Sequence, residues 1–198
     1  MPLLVDKNKK IKLLCSLAYD EFKKYGIENF SLNQFIKKSK LSKGQFYHYF
    51  KNKEDLIFYV MEEEFRKYMS IVDERLKKSD IFLEKLHVLF SIYLDFNSDF
   101  KDFNVLVLST LNMCINSKEK KVKEFNENLY SWVYRHLEKI FKDEAKICKL
   151  KINSQDFFRS ICASADGMYL QSLMLSSYNL EDELQKYFVV IEKITKGK

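Results

Sequence analysis

Proline and glycine are nearly missing from this sequence: one proline, Pro2, and four glycines, Gly26, Gly44, Gly167 and Gly197, in 198 residues. A β-rich chain of this size draws on both for its turns. The shortage points instead to long helices joined by short polar loops, and the abundant Lys, Leu and Glu agree. Cysteine is sparse as well. Cys15, Cys114, Cys148 and Cys162 lie far apart and make no Cys-x-x-Cys pair, which suits a reducing, cytoplasmic setting where thiols behave as small hydrophobes. The three histidines, His48, His87 and His136, stand at no close spacing to a cysteine, so no metal and no cofactor is expected. No apolar run approaches the roughly 18 residues of a membrane span. The first twelve residues carry charges where a secretion signal has an apolar stretch and a cleavage site. A Gly-rich phosphate loop, a His-Glu-x-x-His pair and a serine elbow are all missing, which argues against an enzyme.

Charge is present but uneven. Residues 1–53 hold twelve lysines and four acids, a surplus of +8, whereas residues 54–198 come to −2 within a total of +6. A basic head on a nearly neutral body suggests a polyanion for the head alone. The alternative is a solvated surface in a lysine-rich protein.

Apolar spacing predicts a first helix over Asp6–Tyr25, with Gly26 as a cap at positive φ. Lys7, Lys9, Lys10 and Lys12 crowd its first turns and oppose the helix dipole, an arrangement a nearby phosphate would relieve. Ser31 and Gln34 form a capping-box pattern ahead of a short helix over Leu32–Lys38. Ser42 caps a third helix ending near Phe50. Asn52 caps a long fourth one, with Glu54 and Asp55 in its first turn. Five more helices are expected at Asp80–Asn97, Phe100–Asn116, Lys118–Ala145, Ser154–Ser176 and Glu181–Lys196. The run Val105-Leu106-Val107-Leu108 is apolar on all sides and predicts a central helix. The junction at Phe50–Lys53 is too short for a flexible tether, so the fourth helix links head and body mechanically.

The segment Ser31–Phe50, SLNQFIKKSKLSKGQFYHYF, carries the chemistry. Leu32, Phe35, Ile36, Leu41, Phe46 and Tyr49 supply a small shared core for two helices separated by a tight turn, the helix-turn-helix arrangement that lays its second helix in the major groove. The outward face then presents Ser42, Lys43, Gly44, Gln45, Tyr47 and His48. Lys43 suits a phosphate or a guanine, and Gln45 an adenine edge. Gly44 permits close backbone approach, and Tyr47 and His48 can donate to phosphate oxygens.

The stretch SKGQFYHYFKNKEDL resembles the recognition-helix signature of the tetracycline-repressor (TetR) family, with Tyr25-Gly26 and Phe30-Ser31 matching the residues that precede it. Ile36, where a small residue is usual, and Lys40, where glycine is common, depart from the pattern. The resemblance implies an all-α protein with a three-helix helix-turn-helix domain at 1–52 and a helical ligand-binding and dimerisation domain at 53–198. It implies DNA-backbone contacts from Ser31, Lys43, Tyr47, His48 and Lys53, and base reading by Gln45. It implies a ligand-responsive regulator of operator double-stranded DNA, a repressor in the family's usual mode. A ligand-independent DNA-binding or architectural protein is the alternative.

The resemblance also implies a homodimer through the last two helices. Ala163, Gly167, Leu170, Leu173 and Met174 on one helix, and Leu184, Phe188 and Ile191 on the other, form compatible stripes. An unidentified small-molecule effector is implied in the body, where Phe65, Met69, Phe90, Tyr93, Phe103, Met113, Trp132, Met168 and Tyr169 suit an apolar or aromatic ligand. Plain core packing explains the same residues. Asp95 and Asp166 lie among apolar neighbours and suit a cationic group or a helix interface.

Overall fold

Gly26 and Lys40, the two described residues with positive φ, mark where the first two helices stop. The computed structural model describes residues 7–94, 101–142 and 153–196, with backbone alone for residues 101–105 and Asn112. Among the described residues the regular structure is helical: α1 (Lys7–Tyr25), α2 (Leu32–Lys38), α3 (Lys43–Tyr49), α4 (Lys53–Leu76), α5 (Phe82–Leu89), α6 (Lys101–Asn116), α7 (Lys120–Lys142), α8 (Ser154–Met174) and α9 (Leu180–Lys196), with a 3-10 turn at Ser91–Tyr93. The chain packs as two units, one of residues 1–69 and 101–123, the other of 70–100 and 124–198.

In the first unit α1 buries Leu14, Cys15, Ala18 and Phe22, the inward face its spacing predicts. At Gly26 a φ of 77° lets the amide turn back onto Phe22 O at 2.9 Å, an end that an L-residue would strain. Phe22, Phe30 and Phe35 follow ring to ring, with centroids 4.8 and 5.4 Å apart. Phe46 and Phe50 extend the core from α3 and its end, both fully buried. A side chain of this size contributes about 1.5–3 kcal/mol on burial, so the aromatics hold these short helices where propensity alone would not.

The expectation of a central sixth helix is corrected. Leu106 and Thr110 face inward, but Leu111 is exposed and Ile115 is 72% exposed. An apolar run four residues long covers every side of a helix for little more than a turn. The next turns place Thr110 inside, where its hydroxyl donates to Leu106 O at 2.8 Å, and leave the other face open.

In the second unit α9 packs against α5 and α8. The single helix predicted over Asp80–Asn97 is instead α5 followed by the 3-10 turn, and residues 95–97 lie outside the described residues. In a 3-10 turn, side chains three apart eclipse. Here that stacks Phe90 on Tyr93, centroids 6.2 Å apart, while Phe188 of α9 and Tyr169 of α8 hold the pair from other sides. Tertiary contact with four rings overrides the helical continuation.

Candidate nucleic-acid interface

The turn between α2 and α3 is closed by backbone geometry. Leu41 N donates to Ile36 O at 3.1 Å and Lys40 N to Lys37 O at 3.2 Å. Together these are the paired bonds of a Schellman ending. The ending needs one left-handed residue, and Lys40 takes it at φ 53°. The departure from glycine noted in the sequence therefore leaves the turn's path unchanged and adds strain at one residue. Lys38 reaches from α2 to both carboxylate oxygens of Glu21 on α1 at 2.9 Å, fixing the two helices to each other.

Both short helices carry serine caps. Ser31 Oγ accepts from Gln34 N at 3.5 Å. At α3 the cap is reciprocal: Gln45 N donates to Ser42 Oγ at 3.1 Å, and Ser42 N donates to Gln45 Oε1 at 2.8 Å. The full box thus lies at Ser42–Gln45, which the sequence reading treated as a single cap. The Ser-x-x-Gln spacing is the same in both places, and it was there to be read.

Phe46 is fully buried beneath α3, while Ser42, Lys43, Gly44, Gln45 and His48 are exposed and Tyr47 is 57% exposed. With the cap formed, Gln45 presents its amide N–H outward and keeps its oxygen for Ser42. Lys53 is placed differently from a plain surface lysine. Its ammonium donates to Phe30 O at 2.9 Å and Ile27 O at 3.2 Å, and lies 5.6 Å from the centre of the Phe30 ring. It braces the loop ahead of α2, next to Ser31.

Asn52 Oδ1 accepts from Asp55 N at 2.7 Å, the expected cap on α4. Asp55 does more than favour the helix dipole. It is buried, accepts from Lys51 N at 2.8 Å, and pairs with Lys121 at the start of α7. Lys121 also lies over the rings of Phe58 and Tyr59, and burial, followed by the charge of Lys51, lowers its pKa. Nothing local to Asp55 announces a partner 66 residues away. Below α1, burial and the neighbouring Glu63, Glu62 and Glu64 push the Cys15 thiol up to about 12, so it stays a neutral core group.

Residues 14–60, from Leu14 in α1 to Val60 in α4, match the sequence pattern of the bacterial regulatory proteins, tetR family. Over these residues the chain is similar to the tetR family. It is 27% identical over 131 residues to an HTH-type transcriptional regulator of Staphylococcus aureus (strain bovine RF122 / ET3-1), and the match spans 66% of either protein, just under two thirds. Its fold is shared with the transcriptional regulator FadR of Bacillus subtilis, solved with stearoyl-CoA, at 18% identity and a TM-score of 0.62 over 93% of this chain and 97% of that one. It is shared too with a regulator from Saccharomonospora viridis solved with choline, at 14% identity and a TM-score of 0.64 over 91% and 94%. The tetR pattern ends within α4, and the residues beyond it must be read from this chain itself.

There the sequence expectations divide. Leu184, Phe188 and Ile191 are buried within their own unit, so α9 turns its main apolar stripe inward and these three are corrected from partner-facing to core. The physical reason is that α5 already packs on that stripe: His87 and Phe90 meet Phe188 with ring centroids 5.2 and 5.5 Å away. On α8, Ala163, Leu170, Leu173 and Met174 are exposed, and a Cβ on Gly167 would meet nothing within 4 Å. Val190 and Ile194 of α9 are also exposed.

Two of the expected pocket residues line separate cavities. Trp132 lines a cavity of about 430 Å³ in the second unit, and Met113 a smaller one of about 70 Å³ in the first. Phe65 is buried and Met69 half-buried in the first unit. Phe90 and Tyr169 are buried, and Tyr93 and Met168 half-buried, in the second. The side chain of Phe103 lies outside the described residues, as does Asp95. Asp166 accepts hydrogen bonds from Tyr93 and, at 2.9 Å, from Tyr130. Burial raises both phenols' pKa, with the Asp166 charge adding to it, so both act as donors at neutral pH. The carboxylate is thereby matched inside its own unit. Periodicity marks apolar residues and not the side of the helix on which a void falls.

Proposed function

We propose that the chain is a sequence-specific DNA-binding transcriptional regulator that acts as a homodimer and is released from its operator by a small molecule bound among its C-terminal helices. One observation carries the reading: α3 buries Phe46 and turns Lys43, Gly44, Gln45, Tyr47 and His48 outward together, over a serine-capped N-terminus. Capped, exposed and basic, that face suits phosphate contacts around one base-reading side chain. Ser31 and Lys53 adjoin it, and the third N–H of the Lys53 ammonium remains for a phosphate oxygen. Division of labour follows, with residues 1–52 binding DNA and 53–198 sensing and dimerising. Since α4 contributes residues to both packing units, it is the element through which an occupied body changes the DNA-binding head. The ligands solved in the two structural relatives, an acyl-CoA and a choline, support a sensing body but differ in chemistry.

The test is anisotropy of a labelled duplex from the DNA upstream of the protein's own gene, beside a scrambled duplex. Lys43→Ala should weaken both duplexes alike. It should also lower the log–log salt slope by roughly 2 × 0.9 for a dimer. Gln45→Ala should weaken the upstream duplex selectively, by about 1–3 kcal/mol per half-site. Equal losses on both duplexes would move base reading to another residue. Indifference to the Lys43 change would remove α3 from the interface.

A further inference from the structure

The cavity of the second unit is walled by the end of α4, by α5 and by α7. Its charge is one-sided. Lys77, Lys85, Arg135 and Lys139 line it against a single carboxylate, Asp73. Its Oδ1 is buried, 2.8 Å from His136 Nε2 but without a hydrogen-bond partner. The other ring nitrogen of His136 donates to Trp132 O at 2.9 Å, and its ring lies against the indole at 4.5 Å. The His136 ring is thus fixed against Trp132, so this part of the wall is set before any ligand arrives. The remaining surface is apolar, from Leu76, Trp132 and Ile140.

We propose that this cavity binds an anionic amphiphile, a molecule with a carboxylate or phosphate head on an apolar body. The volume, about 430 Å³, falls within the roughly 300–1,000 Å³ of small-molecule sites. Four cationic heads around one concavity repel one another and concentrate an anion there. Lysine and arginine supply charge-assisted bonds to its oxygens, with Arg135 able to bind two at once. The apolar body covers Leu76 and Ile140 and replaces water on the Trp132 face. A neutral or cationic ligand of the same shape gains nothing from this basic rim. The proposal names the chemical class of the effector and so rests on the sensing reading above.

Trp132 is the sole tryptophan of the sequence, which makes the test direct. The full-length protein, without DNA, is titrated with decanoate and with decyl phosphate below their micelle concentrations while Trp132 emission is followed. Decanol and decyltrimethylammonium serve as controls. Saturable change with the two anions, at concentrations where the controls do nothing, is expected. Removing and reversing the rim charge with Arg135→Glu and Lys139→Glu should weaken binding about tenfold for each charge-assisted bond lost. The same reversal at Lys193, which does not line the cavity, should leave binding in place. A preference for carboxylate or for phosphate identifies the head. Equal binding of decanol or the ammonium compound, no response to either anion, or rim variants as good as the parent would each overturn the assignment. DNA binding is read by the separate anisotropy assay, so failure here leaves the operator reading standing, and the reverse also holds.

Discussion

At Gly44 the protein itself asks for no glycine. The residue lies in α3, its φ is not positive, and a Cβ there would meet only Ser42 Oγ at 4.0 Å. A side chain is therefore excluded only by something outside the protein, and DNA is the proposed occupant. Gly44→Ala should raise stability by up to about 0.5–1 kcal/mol through the unfolded chain and helix propensity, while weakening duplex binding. Thermal unfolding and anisotropy on the same preparation check the two signs. Unchanged affinity would mean the backbone at Gly44 does not approach DNA. Gln45 shows the same division of roles. Its oxygen closes the α3 cap, so its expected bidentate grip on adenine would cost the Ser42 bond. With the cap retained, only the amide N–H is offered, and the base presents an acceptor.

Among the elements, the turn between α2 and α3 combines a complete set of Schellman bonds with a lysine in the left-handed region. Lys40→Gly removes a strain of about 1–2 kcal/mol and gives back about 0.4–1 kcal/mol in unfolded-chain entropy. A net gain of up to about 1.6 kcal/mol is expected, seen as a higher denaturant midpoint at constant m. A loss of stability would show that the Lys40 side chain contributes contacts beyond the turn. The N-terminus of α4 is the second decisive element. Asp55 there satisfies the Lys51 amide and pairs with Lys121. Asp55→Ala should cost about 1–3 kcal/mol, because it strands a part-buried ammonium and an amide together. An unfolding midpoint within error of the parent would remove this joint from the account of the head.

For the whole molecule the open question is assembly. On α8 the exposed Ala163, Leu170 and Met174 share a single face with the half-buried Gly167, with the exposed Leu173 beside it, and Val190 and Ile194 of α9 are exposed as well. Met174 is 74% exposed and Leu173 47%, more apolar surface than one chain gains by leaving in water. We infer that a second copy covers it, and that two recognition helices are thereby set one turn of DNA apart. Leu173→Glu should yield monomers by sedimentation velocity, with weakened operator binding, since a charge would have to be buried without a partner. Phe188→Glu should instead unfold the second unit, because Phe188 is core. An intact dimer in the Leu173 variant would remove α8 from the interface.

What the sequence by itself determined is local. Helix ends at Ser31, Ser42, Asn52 and Gly26 were legible because a cap is a contact among residues a few positions apart. So was the face of α3, since one period of 3.6 residues puts Phe46 inside and Lys43, Tyr47 and the rest outside. Tertiary structure decided what depends on a second element. Leu184, Phe188 and Ile191 read as a stripe able to face a partner, and α5 took that stripe for the chain's own core. The helix expected through Phe90 gave way to a cluster of four rings. The charged cavity draws on α4, α5 and α7, and the Asp55–Lys121 pair joins residues 66 apart. Burial and voids are relations between surfaces brought together by folding, and a periodicity within one helix carries no record of which surface it will meet.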